Sequence, residues 1–295
     1  MGTPDFFYNK FEVPLTTVDT EQIIANCSDT NSALSPLIKE VYLPVHLDDG
    51  TSGRPFWYHY SREDYYALIK RLLEHKPIVI TYPHGEPKIM RRYIALGVTK
   101  FMVSRWKPQY AALKKKYPPL RIYRSIVANA YSDSIDTRFD GMVVPYHKLL
   151  DVQWLQQASR KTSLIGIINH NCKVTCTNLN NHPKKETVNT KAVELTCFQC
   201  PTGRNFFLPR QVVRNILPYL SALKLVERLQ YCFEYEKFIK YYIGEELLDE
   251  GFMGHDVVSH IKFYEGSIVH KLYSHSHLVS LNCQFKCAVC DKKCF

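Results

Sequence analysis

Residues 61–104 read SREDYYALIKRLLEHKPIVITYPHGEPKIMRRYIALGVTKFMVS. Ser61 stands where an N-cap hydroxyl is expected, and Glu63 and Asp64 follow in the first turn. Tyr65, Ile69 and Leu72 then recur at helical spacing, which predicts a helix over 61–76. PIVITY, residues 77–82, is a short apolar run of the kind that forms a buried strand. Residues 86–96 return to helical spacing, and 99–104 form the next strand. Strands that alternate with helices pair in parallel through crossover connections.

The same alternation extends both ways. EVYLPVHL at 40–47 reads as a strand. Pro108 opens a helix over 108–116 that Pro118 and Pro119 end. Strands follow at 122–130, 141–146 and 163–168 (SLIGII), with a helix at 149–159. Residues 170–203 are polar, cysteine-bearing and weakly periodic, the signature of an active-site loop. A helix at 209–220, a strand at 222–229 and helical sequence at 231–248 complete the alternation. The first expectation is an α/β fold, a TIM-type (β/α)8 barrel, complete or short of a unit, with a cysteine-rich C-terminal tail. An open doubly wound sheet is the second. The chain then divides into an N-terminal extension (1–34), the barrel with its cysteine loop (35–250) and a C-terminal segment (251–295). In a barrel the chemistry sits at the C-terminal ends of strands. His84, Asn129, His147, and Asn169 through Cys172 fall there.

The 295 residues are 45% hydrophobic and 22% charged, which excludes a wholly disordered chain. The net charge is +10, and residues 87–132 hold eleven basic residues and no acid. That stretch suggests an anionic partner. Lys114, Lys115 and Lys116 end a helix, where the macrodipole favours cations, so they read as an outer face or docking patch. No apolar run approaches the roughly 18 residues of a membrane span. The N-terminus lacks the pattern of a secretory leader. A soluble cytoplasmic protein is expected.

Ten cysteines are the strongest compositional signal. Eight are grouped: Cys172 with Cys176, Cys197 with Cys200, and Cys283, Cys287, Cys290 and Cys294. Close pairs in an intracellular chain point to metal or an iron–sulfur cluster rather than disulfides. Four thiolates suit tetrahedral zinc or a four-iron cluster, and His170 and His182 are further ligand candidates. The tail spacing C-x3-C-x2-C matches that of radical S-adenosylmethionine enzymes. Cys294, however, offers a fourth thiolate that would close such a site. Arg54, after Gly53, is a candidate grip for a planar anion. His84, Asn129 and His147 are candidates for substrate contact. Each has a plain alternative as an ordinary loop residue. No G-x-S-x-G elbow and no H-E-x-x-H motif occurs.

The order of several motifs resembles the collagenase-like "peptidase U" superfamily, which includes oxygen-independent hydroxylation proteins of ubiquinone and RNA. The motifs are V-Y-x-P at Val41 and Tyr42 near Gly53-Arg54, and SIVANA from Ser125 to Ala130. INHNC with a second cysteine at 176 and His182 follows, then LPYLSALKLVER up to Arg228, and finally the C-x3-C-x2-C terminus. The resemblance spans residues 35–295. It implies a TIM-type barrel with a 4Fe-4S cluster on four cysteines and hydroxylation without dioxygen. Cys172 and Cys176 match its N-x-x-C-x-x-x-C step, and Cys197 or Cys200 a later ligand. Lys224 and Arg228 match the ends of its K-I-E-G-R segment, whose glycine is absent here. Relatives that work as heterodimers imply a protein partner.

The leading expectation is therefore an iron–sulfur oxidoreductase or hydroxylase acting on a small molecule, RNA or peptide. Asn169, His170 and His182 would orient substrate or relay protons. The alternative is a non-enzymatic, zinc-stabilised module that binds RNA or protein. A peptidase or a radical enzyme comes third.

Overall fold

The computed structural model describes residues 11–14, 24–25, 27–29, 32–49, 60–126, 134–145, 148–149, 151–170, 206–207, 210–225, 239–240 and 242–243. Eight parallel strands close into a barrel. They are β1 (Phe11–Pro14), β2 (Ile38–Pro44), β3 (Ile78–Thr81), β4 (Lys100–Val103), β5 (Arg121–Arg124), β6 (Gly141–Val143), β7 (Ser163–Ile167) and, later in the chain, β10 (Ala222–Lys224). Neighbours follow chain order from β1 to β7, and β10 lies between β7 and β1. The open doubly wound alternative is thereby excluded. Two short strands, β8 (Asn169–His170) and β9 (Phe206–Phe207), pair separately and antiparallel.

The helices are α1 (Arg62–Leu73), α2 (Pro87–Ala95), α3 (Gln109–Lys116), α4 (Val152–Ser159) and α5 (Arg210–Ile216). Ser61 caps α1, its hydroxyl accepting from the Asp64 amide at 3.1 Å. Asp151 caps α4 in the same way through the Trp154 amide at 2.9 Å. Each cap satisfies an amide that would otherwise lack a helical partner. Pro108 stands just before α3 rather than within it.

One expectation changes. Phe11–Pro14 lies in the stretch read as an extension outside the barrel, yet it pairs with β2 and β10 and closes the ring. A four-residue strand ending in proline carries too little alternation to be seen locally. Several strands also end early. β5 stops at Arg124 and β10 at Lys224, where the apolar pattern runs on past the last ladder pair.

The register sorts side chains into two apolar layers. Tyr42, Val79, Met102, Val143, Ile165, Ile167 and Ala222 pack together inside the barrel, with Tyr123 and Ile126 against them. Residues one step away along the strands, such as Val41, Ile80, Phe101, Leu164 and Leu223, pack outward with helix residues including Tyr65, Leu72, Tyr93 and Tyr110. Near the start of the strands, Lys100 forms an ion pair with the buried Glu40. The barrel is thus a filled core, and its chemistry belongs at its C-terminal mouth.

Candidate functional site at the barrel mouth

Lys224 is the last residue of β10 and is 4% exposed. Its Nζ lies 4.0 Å from the centroid of the Tyr42 ring and 3.1 Å from Met102 Sδ. The aromatic face attracts the cation electrostatically, more strongly where water is excluded. The Tyr42 hydroxyl donates to the Leu225 carbonyl, just beyond the end of β10. The Ile168 amide lies 3.4 Å from the Lys224 carbonyl, which ties the exit of β7 to the lysine. In the register, Ile167 stands beside Lys224 on one side and Glu12 on the other. A lysine inside an apolar barrel end is the kind of group that holds or polarises a substrate.

Immediately past Ile168 the chain forms β8, which pairs with β9: Asn169 opposite Phe207 and His170 opposite Phe206. Cys172, Cys176, His182, Cys197 and Cys200 are in the sequence between these two strands. The loop expected at 170–203 therefore leaves and rejoins the barrel through one pair of adjacent strands. The cysteines themselves, with His182, Arg54, Asn129, His147 and the tail residues Cys283, Cys287, Cys290 and Cys294, lie outside the described residues. Among the described residues, no group of three His, Cys, Asp or Glu side chains is placed to hold a metal. The thiolate-rich donor set in sequence suits a four-iron cluster or zinc, not a hard oxygen-bound cation.

His84 is exposed in the turn after β3, its ring 6.3 Å from that of Tyr82. The turn is fixed by Gly85 (φ +56°), whose carbonyl accepts from the Tyr110 hydroxyl at 2.6 Å. His84 is thus on the rim of the mouth, while Lys224 is in the barrel interior.

Sequence reading missed a second polar centre. After β2, the buried Asp49 accepts from Arg92 Nη1 at 2.6 Å, the Tyr66 hydroxyl at 2.5 Å and the Tyr93 hydroxyl at 3.1 Å. Arg62 Nε is 3.4 Å away. Tyr93 in turn accepts from the His46 amide at 2.7 Å. Burial and then the Asp49 carboxylate push the Tyr66 hydroxyl well above the usual tyrosine range, so it remains a donor. The Asp49 carboxylate raises the Arg92 guanidinium further. The network joins the β2 exit to α1 and α2. Its members are far apart in sequence, and no local pattern marks them as one group.

A third group lies beyond β4 and β5. Arg138 pairs with Asp136 and stands over the Trp106 ring, 5.9 Å from its centroid. Hydrogen bonds from Arg138 hold the Asp136 carboxyl below its usual range. Burial lowers the half-buried Arg124 against the opposing attraction of Asp136, with a smaller push from Arg138, and Arg124 donates to the Ser134 carbonyl at 3.1 Å. Comparison with protein-family models, curated proteins and solved structures gave no match.

Proposed function

We propose that this chain is a barrel enzyme with a cysteine-bound iron–sulfur centre over its mouth. Its reaction class is oxygen-independent hydroxylation or a related redox modification. The observation that supports it is the β8–β9 pair. It fastens both ends of the segment carrying Cys172, Cys176, Cys197 and Cys200 to the exit of β7, next to the backbone of Lys224. The peptidase U resemblance motivates the same reading through its N-x-x-C-x-x-x-C step and its barrel fold. It also motivates a protein partner and a reducing compartment such as the cytoplasm.

A cluster held there would supply electrons and a Lewis-acidic iron to an oxygen-bearing substrate or donor. The chain's own residues would do the rest. Lys224 would hold an anionic or carbonyl oxygen at the floor of the mouth. The interior apolar side chains would exclude water from it, which strengthens that contact. Asn169 and His170, next to the first cysteine, would orient the substrate or relay a proton. His84 would contact it from the rim, and Arg54 is a further candidate grip for a planar anion. The tail cysteines would complete this centre or bind a second metal.

Strictly anaerobic isolation followed by iron, sulfide and zinc analysis tests this. The expected protein is brown, absorbs broadly near about 400 nm and carries iron and sulfide in equal amounts. Cys172→Ala or Cys176→Ala loses both. A colourless protein holding zinc and no iron overturns the proposal and favours the zinc-stabilised binding module.

A further inference from the structure

Among the described residues, the N-terminal end of the barrel gathers exposed cations from parts of the chain that are far apart in sequence. Strands run from the N-terminal end to the mouth, so the last turns of helices and the turns into strands gather at the opposite, N-terminal end. Lys70 and Arg71 are exposed at the end of α1. Lys115 and Lys116 are exposed at the end of α3, followed by exposed Arg121 at the start of β5. Arg160 and Lys161 are exposed between α4 and β7. Among the described residues of this end, the exposed acids are Asp29 and Glu74. Asp140 there is occupied by Lys114 at 2.8 Å.

The cations come from three separate units of the ring. α1 follows β2, α3 follows β4 and α4 follows β6, so the first and last groups stand on opposite sides of an eight-stranded barrel. Among the described residues the charge therefore reaches from one side of this end, past its middle, to the opposite side, rather than following one strip. The macrodipole accounts for cations in last turns, but Arg121 and Lys161 lie outside the helices. The exposed apolar residues of this end, among those described, are prolines and alanines: Ala25, Ala33, Pro36, Pro77, Ala95, the Pro118–Pro119 pair and Pro218. Leu73, Leu96 and Tyr117 are packed against the core instead.

We infer that this N-terminal end is a docking face for an anionic lipid bilayer. A broad array of cations from separate units of one end fits a plane of headgroups. A nucleic-acid duplex would meet only a strip of it. A protein partner would need a buried apolar centre that the described surface lacks. With no large apolar side chain exposed among the described residues of this end, binding is electrostatic and reversible, at the headgroup level. The mouth then faces away from the membrane, toward soluble substrates. The inference is independent of any metal at the mouth.

Co-sedimentation of the full chain with phosphatidylcholine vesicles, with and without phosphatidylserine, tests it. Binding should require phosphatidylserine and vanish at high salt. The double variants K115A/K116A and R160A/K161A should each weaken it by about thirtyfold at low salt, with unchanged thermal unfolding. Their combination should weaken it further, because both sides of the face contribute. The inference is overturned by absent or salt-insensitive binding, or by variants that bind as the parent does. It is also overturned if an RNA stem-loop binds more tightly than the vesicles and displaces them.

Discussion

The ammonium of Lys224 lies 4.0 Å from the centre of the Tyr42 ring, inside the barrel and between strands that are far apart in the chain. The pair couples the end of β10 to β2 across the interior. Truncating it as Lys224→Ala leaves a cavity and removes a buried charge from its partners, and should cost about 2–4 kcal/mol of stability. Lys224→Met keeps the volume and contacts Met102 through apolar atoms, so it should regain most of that loss. Urea unfolding measures both. If Lys224 serves the substrate, the Met variant is stable yet inactive.

Asp49 has a fully buried carboxylate and gathers two guanidinium groups and two phenols. Asp49→Asn leaves those cations without their counter-charge and should cost about 3 kcal/mol. Tyr66→Phe removes one charge-assisted hydrogen bond and should cost about 2 kcal/mol. Because both act on one network, the double variant should lose less than the sum, as a denaturation cycle would show.

At Gly85 the backbone has φ +56°, and a Cβ there would stand 1.9 Å from the Tyr110 hydroxyl oxygen. Gly85→Ala should therefore destabilise by about 2 kcal/mol or more. Shortening the neighbour as Tyr110→Phe should relieve the clash with the hydroxyl but leave the 2.9 Å approach to Val103 Cγ1 and the backbone strain, so rescue is partial. Thermal unfolding of the single and double variants separates the two contributions.

Burial pushes the Cys27 thiol from its ordinary 9.0 to about 11, with Lys76 opposing weakly. The folded state therefore favours the neutral thiol. This contribution to stability is whole below pH 9 and is lost as the pH rises toward 11. At pH 8 alkylation of native Cys27 should be about a hundredfold slower than in the unfolded chain, as peptide mass spectrometry with iodoacetamide reports. Fast native labelling contradicts the buried placement.

Much of the scaffold was legible because its signals are local. Ser61 announced α1 through a hydrogen bond spanning three residues, and the apolar run at 78–81 announced β3. The rim position of His84 followed from the strand that precedes it. The Asp49 network did not follow, because Tyr66, Arg92 and Tyr93 read as ordinary members of amphipathic helices until the helices pack. The Asp151 cap was missed by placing the start of α4 a few residues early.

By itself, the sequence determined the alternation of strand and helix, the parallel class of fold and the grouping of the cysteines along the chain. Each depends on residue type and on spacings within a turn or a strand. Only the tertiary structure decided that Phe11–Pro14 closes the ring, that Lys224 points into it beside Tyr42, and that cations from three units share one end. These depend on strand register and barrel closure. A shift of one residue would turn Lys224 outward among the helices, and no local pattern encodes that choice.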